Sequence, residues 1–269
     1  MTYQQLSNLI LSKKSCLCVG LDSDFSKLPE GIPATPAGVL TFNRNIIQAT
    51  REYCVAYKLN SAFYECMGAE GWDVMESTIE FIGKEHLVIA DAKRGDIGNT
   101  AMMYARAFFN RLKADAITLN PYMGSDTIKP FLEYPEKWGI VLALTSNATG
   151  KQLQQLKSNG KSVFQYVVDI SLEVGHPGNV MFVVGGTRPE DLREMREYCP
   201  DCFFLVPGVG KQGGSVDEVM KAGQQEGGTG LLINSSRGII FSSPEPDYAE
   251  SAAREAKNMQ NQMRQFIGG

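Results

Sequence analysis

The chain carries four charged residues that each lie within or at the end of a short apolar run: Asp22, Lys58, Asp91 and Lys93. A charge in such a run is unfavourable unless it is paired. Aspartate and lysine side chains that alternate in space hold one another in the ionised form. The pattern therefore indicates either a structural ion-pair network or a catalytic array of mixed charge.

The runs that hold these residues recur along the whole chain, at 16–22, 55–60, 87–93, 116–120, 139–147, 179–187, 203–210 and 230–238. Their starts lie 23 to 40 residues apart, which is the length of a βα unit. Nearly continuous apolar runs are typical of parallel strands that are covered on both faces. Eight such units predict an α/β protein with a (β/α)8 TIM barrel. A doubly wound open sheet is the alternative, but its glycine-rich dinucleotide fingerprint does not follow the first run.

Helix signals separate the predicted strands. Residues 2–14 predict a helix before the first strand, and residues 247–266 predict a polar helix at the end. The pair Thr35-Pro36 and the segment 187–190 are typical of helix starts, and residues 215–218 match a capping box. The stretch 152–175 contains Asn159-Gly160 and predicts a broken helix or a loop. Because no linker interrupts the pattern, we expect one barrel domain over residues 1–269 with an extra N-terminal helix.

In such a barrel the active site lies at the carboxyl ends of the strands. Strand side chains alternate between faces, so Asp91 and Lys93 should point the same way and meet the other two charges at one end of the barrel. Glycines near the end of the seventh strand would let backbone N–H groups approach a ligand. Arg237, after the eighth strand, offers a planar fork of donors for phosphate oxygens.

The segment from Asp91 to Thr100, which reads Asp-Ala-Lys-Arg-Gly-Asp-Ile-Gly-Asn-Thr, closely resembles the active-site signature of the orotidine 5′-phosphate decarboxylase family. The resemblance extends to Asp22, to Lys58, and to the segments 207–212 and 234–238. The length of the chain and its long fifth unit resemble the larger bacterial subfamily. The Asp-x-Lys-x-x-Asp part alone is also similar to sugar-phosphate decarboxylases and synthases of the same superfamily.

The resemblance implies cofactor-free conversion of orotidine 5′-phosphate to UMP, without a metal ion. It implies four catalytic residues: Lys93, Asp91, Asp96 and Lys58. It implies substrate-binding roles for Asp22, Thr100, Ser146, Pro207, Gln212, Arg237 and Gly238. Ser146 would read the pyrimidine edge, although its neighbour Thr145 could align there instead. The resemblance also implies a homodimer in which Asp96 and Thr100 enter the partner's site.

Two other functions stay open: a magnesium-dependent sugar-phosphate enzyme of the same superfamily, and a barrel that binds nucleotides without turnover. The composition of the chain argues against several further classes of protein. With 26 Lys and Arg against 30 Asp and Glu, the net charge of −4 argues against a nucleic-acid partner. No run of about 18 apolar residues indicates a membrane span, and the first residues do not resemble a signal peptide. We therefore expect a cytoplasmic protein with reduced cysteines. Cys199 and Cys202 have metal-site spacing, but only two histidines are present in the chain.

Overall fold

The structure, a computed structural model, describes residues 1–210 and 213–268. Its strands are β1 (Leu17–Gly20), β2 (Ala56–Asn60), β3 (Leu87–Arg94), β4 (Ala116–Leu119), β5 (Trp138–Leu144), β6 (Lys157–Ser158), β7 (Lys161–Ser162), β8 (Val180–Val184), β9 (Phe203–Pro207) and β10 (Leu231–Ser235). In the described ranges, all but β6 and β7 form one closed parallel barrel, in the order β1-β10-β9-β8-β5-β4-β3-β2. The predicted (β/α)8 TIM barrel is confirmed.

The helices alternate with the barrel strands: α1 (Tyr3–Lys13), α2 (Pro36–Thr50), α3 (Ala62–Glu65), α4 (Ala69–Ile82), α5 (Gly98–Ala105), α6 (Lys129–Leu132), α7 (Lys151–Gln154), α8 (Val163–Val174), α9 (Pro189–Tyr198), α10 (Val216–Gly223), α11 (Arg237–Ile240) and α12 (Tyr248–Arg264). A π-helical segment, Arg106–Arg111, extends α5. None of the helices in the described ranges combines the length and the apolar character that crossing a membrane requires.

The barrel closes where its first strand meets its last, because β1 pairs in parallel with β10. The residues of β1, β3 up to Ala92, β4, β8 and β10 are buried, which explains why their sequences lack polar alternation. At the amino ends of the strands, α1 lies over the barrel. The Trp138 Nε1 donates a hydrogen bond of 2.7 Å to the carbonyl oxygen of Met1, and the Met1 amine pairs with Asp115 at 3.3 Å.

The helix starts show which capping predictions were correct. The Thr35 hydroxyl accepts a 3.1 Å hydrogen bond from the Gly38 N–H, and Pro36 is the first residue of α2. Residues 187–190 do open α9, with Arg188 as the N-cap. The capping box at 215–218 is wrong, because the Ser215 side chain makes no capping hydrogen bond.

The long connection after β5 is broken, as predicted. It contains α7 and a hairpin of β6 and β7 before α8 begins. Asn159 and Gly160 form the tip of that hairpin with φ of 48° and 81°, and the two-residue hairpin turn with both φ positive favours this pair of residue types. The hairpin lies outside the barrel sheet, so this insertion changes the rim and leaves the strand order intact.

Candidate active site

Four charged side chains form a continuous chain of ion pairs across the carboxyl ends of β1, β2 and β3. The Lys58 Nζ lies 3.1 Å from Asp22 Oδ1 and 3.1 Å from Asp91 Oδ2. The Lys93 Nζ lies 2.6 Å from the other oxygen of Asp91. The predicted clustering of these residues is therefore observed, and the order of charges is Asp, Lys, Asp, Lys.

Burial and neighbouring charges together determine the pKa values of Lys58 and Asp91 in this array. The Lys58 side chain is 5% exposed, and burial alone would lower its pKa. The charges of Asp22 and Asp91 outweigh burial and raise the Lys58 pKa above its ordinary value. Burial likewise favours the neutral form of Asp91, but Lys58, Lys93 and a hydrogen bond from Thr118 lower the Asp91 pKa to about 2. Both groups therefore stay charged at neutral pH.

Lys93 reaches Asp91 through a local distortion of β3. The residue has φ of 47°, a left-handed conformation that is uncommon for a residue with a side chain. The register of β3 against β4 shifts between Ala90 and Arg94, and such bulges often redirect a side chain beside an active site. Simple strand alternation predicted the meeting of Lys93 and Asp91, but the bulge produces it.

Thr118 on β4 holds the distorted segment in place. Its hydroxyl donates a 2.9 Å hydrogen bond to Asp91 Oδ1 and accepts a 2.8 Å hydrogen bond from the Lys93 N–H. The residue is 1% exposed, so neither hydrogen bond competes much with water. Sequence reasoning missed Thr118, because a threonine within an apolar strand is an ordinary β-sheet residue.

A cavity of about 680 Å³ opens beside the array, lined by Asp22, Lys27, Lys58, Asn60, Asp91, Pro207, Gly208, Val209, Gly210, Gly213, Asn234, Ser235, Ser236, Arg237, Gly238, Phe241 and Ser242. Its volume suits a small-molecule ligand. One part of the lining comes from β1, β2 and β3, which carry or precede Asp22, Lys58 and Asp91. The other part comes from the ends of β9 and β10, with Pro207, Arg237 and Gly238. The cavity therefore joins Asp22, Lys58 and Asp91 of the charged array to the predicted phosphate residues.

The side of the cavity where the sequence predicts phosphate contacts is formed by the ends of β9 and β10. Arg237 is exposed there and makes no ion pair with a described residue. Gly208 and Gly210 have φ of 82° and 121°, which glycine adopts without strain. Position 213 requires glycine for a different reason, because a Cβ there would lie 2.0 Å from the Gly208 oxygen. That glycine serves the packing of the loop against itself. Gln212 lies outside the described residues.

Ser146 and Thr145 are distinguished by their hydrogen bonds. The Thr145 hydroxyl contacts Asn147 Oδ1 at 2.5 Å and Gln154 Nε2 at 2.8 Å, so it is engaged within its own loop. The Ser146 hydroxyl makes no hydrogen bond to a described residue, and it would lie 3.9 Å from a Cβ placed on Gly208. The geometry thus favours Ser146, at the rim beside the end of β9, as the residue available to a ligand.

Asp96 and Thr100 do not join the array of their own chain. The Asp96 carboxylate accepts a 2.8 Å hydrogen bond from the adjacent Ile97 N–H and forms no ion pair within the described ranges. Thr100 is exposed on α5. Neither residue is among those that line the cavity.

The remaining candidates have structural explanations. Asp24 accepts a 3.0 Å hydrogen bond from the Ser26 N–H and pairs with Lys27 at 3.2 Å, and Glu65 pairs with Arg94. All six cysteines are free thiols. No group of three or more His, Cys, Asp or Glu side chains in the described part of the chain is placed to hold a metal ion.

The closed barrel, with its mixed lysine and aspartate array beside a glycine-rich loop, defines a class of (β/α)8 barrels that bind a charged small molecule at the strand ends. A family model described as orotidine 5′-phosphate decarboxylase / HUMPS family matches residues 15–253. The chain belongs to this family, and the resemblance found in the sequence is confirmed.

Individual relatives agree with that assignment. A protein of Christiangramia forsetii named orotidine 5′-phosphate decarboxylase is 50% identical, over 98% of this chain and 97% of its own. One of the same name from Porphyromonas gingivalis is 48% identical, over 98% and 96%. The solved structure of Leishmania donovani OMP decarboxylase is 37% identical with a TM-score of 0.81, and the match covers 97% of this chain and 100% of that one.

Proposed function

We propose that this protein decarboxylates orotidine 5′-monophosphate to UMP without a cofactor. The observation that carries the proposal is the unbroken series of ion pairs from Asp22 through Lys58 and Asp91 to Lys93. It stands beside a cavity whose far side holds Arg237, which makes no ion pair with a described residue. One end of the site is thus suited to a developing negative charge and the other to a phosphate.

The chemistry needs a positive charge fixed at one carbon atom. Loss of CO₂ from C6 of the pyrimidine leaves a carbanion in the plane of the ring, where the ring π-system cannot delocalise it. The Lys93 ammonium, anchored to Asp91 at 2.6 Å, stabilises that charge and then donates a proton to C6. The proton replaces CO₂, and the neutral amine of Lys93 regains a proton from solvent, to which its side chain is 48% exposed.

Asp91 has two effects in this scheme. It fixes Lys93, and it also lies where the carboxylate of the substrate departs. Repulsion between two carboxylates about 4 Å apart is about 1 to 4 kcal/mol at effective dielectric constants of 80 to 20. Proficient enzymes lower barriers by up to about 20 kcal/mol, so repulsion cannot be the main effect. We therefore assign most of the acceleration to the preorganised Lys93.

Binding energy comes from the parts of the substrate that do not react. Arg237, Gly238, Pro207 and Gln212 bind the phosphate side, while Asp22 and Lys58 bind ribose hydroxyls. Interactions with a remote phosphate can be expressed as a lower barrier at the reacting carbon. Ser146, whose hydroxyl is free in the described structure, reads the edge of the pyrimidine.

The test is the loss of orotidylate absorbance in buffer that contains EDTA. Turnover that is unchanged by EDTA supports the proposal. Turnover of a sugar phosphate that stops with EDTA and returns with Mg²⁺ would support the magnesium-dependent alternative instead. Binding of UMP without any turnover of orotidylate would indicate the non-catalytic barrel.

We also propose that the active form is a homodimer in which Asp96 and Thr100 enter the partner's site. The supporting observation is a surface beside these residues, in the segments that follow β3 and β4, with exposed apolar side chains: Ile97, Met102, Met103, Tyr122 and Met123. Tyr122 is 82% exposed, and grouped apolar side chains of this kind mark interaction surfaces. The free thiols support a reducing compartment, so the proposed location is the cytoplasm.

Subunit mixing tests the shared site. Homodimers of Lys93→Ala and of Asp96→Ala should both be nearly inactive. After random exchange about half of the dimers are mixed, and each mixed dimer contains one site without either defect. Activity should then recover to roughly a quarter of the wild-type value per site. Differently tagged chains must first show that exchange occurs, and no recovery after proven exchange would contradict the shared site.

A further inference from the structure

Asn234 on β10 lines the cavity and carries a buried hydrogen-bond acceptor that has no partner among the described residues. The residue is 6% exposed and lines the cavity. Its Nδ2 donates to the Ser236 hydroxyl at 3.3 Å, which orients the amide. The Oδ1 atom has no hydrogen-bond partner among the described residues. Buried polar atoms are almost always paired, so an unpaired one on a residue that lines a cavity indicates a donor that arrives with the ligand.

The backbone around Asn234 leaves room for this amide. A Cβ on Gly20 would lie 1.9 Å from the Ser236 hydroxyl oxygen and 3.1 Å from Asn234 Oδ1. Only glycine at this position accommodates the pair of side chains on the neighbouring strand. In the barrel register Gly20 pairs with Lys58, so the free oxygen of Asn234 lies close to the Asp22–Lys58 end of the array.

The position of Asn234 along the barrel indicates which part of a ligand it meets. The order of strands is β3, β2, β1, β10, β9, with Lys93 on β3 and Arg237 directly after β10. A nucleotide whose pyrimidine lies at Lys93 and whose phosphate lies at Arg237 places its ribose over β2, β1 and β10. A phosphate dianion carries no proton to donate, whereas a ribose hydroxyl is a donor.

We propose that Asn234 Oδ1 accepts a hydrogen bond from a ribose hydroxyl of the bound nucleotide and thereby selects ribonucleotides over deoxyribonucleotides. The inference rests on the proposed function, because it takes the ligand to be a pyrimidine ribonucleotide. It adds a neutral acceptor to the charged pair of Asp22 and Lys58. A site built to pair with a hydroxyl rejects an analogue without it, since the acceptor is then left buried and unpaired.

The experiment measures dissociation constants of UMP, 2′-deoxy-UMP and 3′-deoxy-UMP by calorimetry. The proteins are wild type, Asn234→Leu, Asn234→Asp and the control Asn8→Ala. Asn8 is an exposed asparagine on α1, whose Oδ1 already accepts a hydrogen bond from Gln4. Leucine has a similar size and no acceptor, whereas aspartate keeps an acceptor oxygen.

Wild type and Asn8→Ala should bind one of the deoxy analogues at least about 10-fold more weakly than UMP, since one buried hydrogen bond contributes about this factor. In Asn234→Leu that ratio should be about 10-fold smaller than in wild type, because UMP loses this hydrogen bond while Asp22 and Lys58 keep their contacts with the ribose. Asn234→Asp should keep the ratio although its added charge weakens all three ligands. If Asn234→Leu does not fold, Asn234→Ala carries the same comparison.

The inference is overturned if both analogues keep their wild-type ratios in the leucine or alanine variant. It is equally overturned if wild type binds all three nucleotides alike. Failure of the proposed function looks different, because wild-type protein would then not convert orotidylate, whether or not it binds UMP. An assay of orotidylate turnover by the wild-type protein therefore separates the two results.

Discussion

Replacing Thr118 by valine should impair catalysis, although Thr118 itself has no proposed contact with the substrate. Valine has nearly the shape of threonine and lacks the hydroxyl that joins Asp91 Oδ1 to the Lys93 N–H. The left-handed Lys93 would lose the hydrogen bond that its N–H makes. Thr118 is a positioning residue in this view, because it acts on the reaction only through Asp91 and Lys93.

The size of the effect follows from the two hydrogen bonds. One is made to a carboxylate, and such bonds contribute about 1.5 to 3 kcal/mol, while an unpaired buried N–H costs about 1 to 3 kcal/mol. Since both changes strain one segment that can partly relax, we expect the free energy of unfolding to fall by about 2 to 4 kcal/mol. A displacement of Lys93 by about 1 Å can lower the rate about 100-fold, so kcat should fall about 10- to 100-fold.

The assay is steady-state decarboxylation of orotidylate, combined with thermal unfolding. Thr50→Val is the matched control, because Thr50 is also buried and its hydroxyl donates a 2.7 Å hydrogen bond to the Ile46 oxygen. Both variants should lose stability, and only Thr118→Val should lose kcat. Equal kcat values for the two variants would refute the positioning role.

The pH profile adds a readout that a purely structural role would not change. Asp91 has a pKa of about 2 against an ordinary 3.8, so its contribution to stability is complete above about pH 4 and is lost as the pH falls through 2. The Thr118 hydrogen bond is one of the interactions that lower this pKa. Thr118→Val should therefore raise the Asp91 pKa and move the acid loss of both kcat and stability to higher pH.

Three further substitutions test the ends of the site. Lys93→Ala should retain the fold and abolish decarboxylation, since it removes both the stabilising charge and the proton donor; a variant with a tenth of the wild-type kcat would contradict that role. Arg237→Ala should raise KM for orotidylate and weaken UMP binding while leaving the phosphate-free orotidine unaffected, and equal harm to both substrates would rule out a phosphate contact. Lys27→Ala should weaken UMP binding less than Arg237→Ala does, because Asp24 already offsets the Lys27 charge at 3.2 Å; calorimetric titration with UMP compares the two variants.

Much of the fold could be predicted because strand position depends on local apolar pattern. Each predicted run contains a barrel strand or begins within one residue of it. The N-cap at Thr35 was also correct. The capping box at Ser215 failed, because a side-chain hydrogen bond depends on a rotamer that the residue type alone does not determine.

The charged array was correctly predicted to lie at the carboxyl ends of the strands. The features that hold its side chains in position were not predicted. The sequence contains no sign of the register shift that turns Lys93 toward Asp91. The proposed roles of Thr118 and Asn234 depend on hydrogen bonds that Thr118 makes and on one that Asn234 Oδ1 lacks. Only the neighbouring strands determine these hydrogen bonds. Lys27 enters the cavity from a loop that has no periodic pattern to place it.

The pairing of β1 with β10 has a consequence for the chain while it is being synthesised. The residues of the charged array leave the ribosome before the partner strand of β1, which is the last strand of the barrel in chain order. Until then one edge of β1 has no partner, and free strand edges promote association with other chains. A translation product that stops before Leu231 would therefore contain the whole charged array, lack Arg237 and Gly238, and expose an open edge to aggregation.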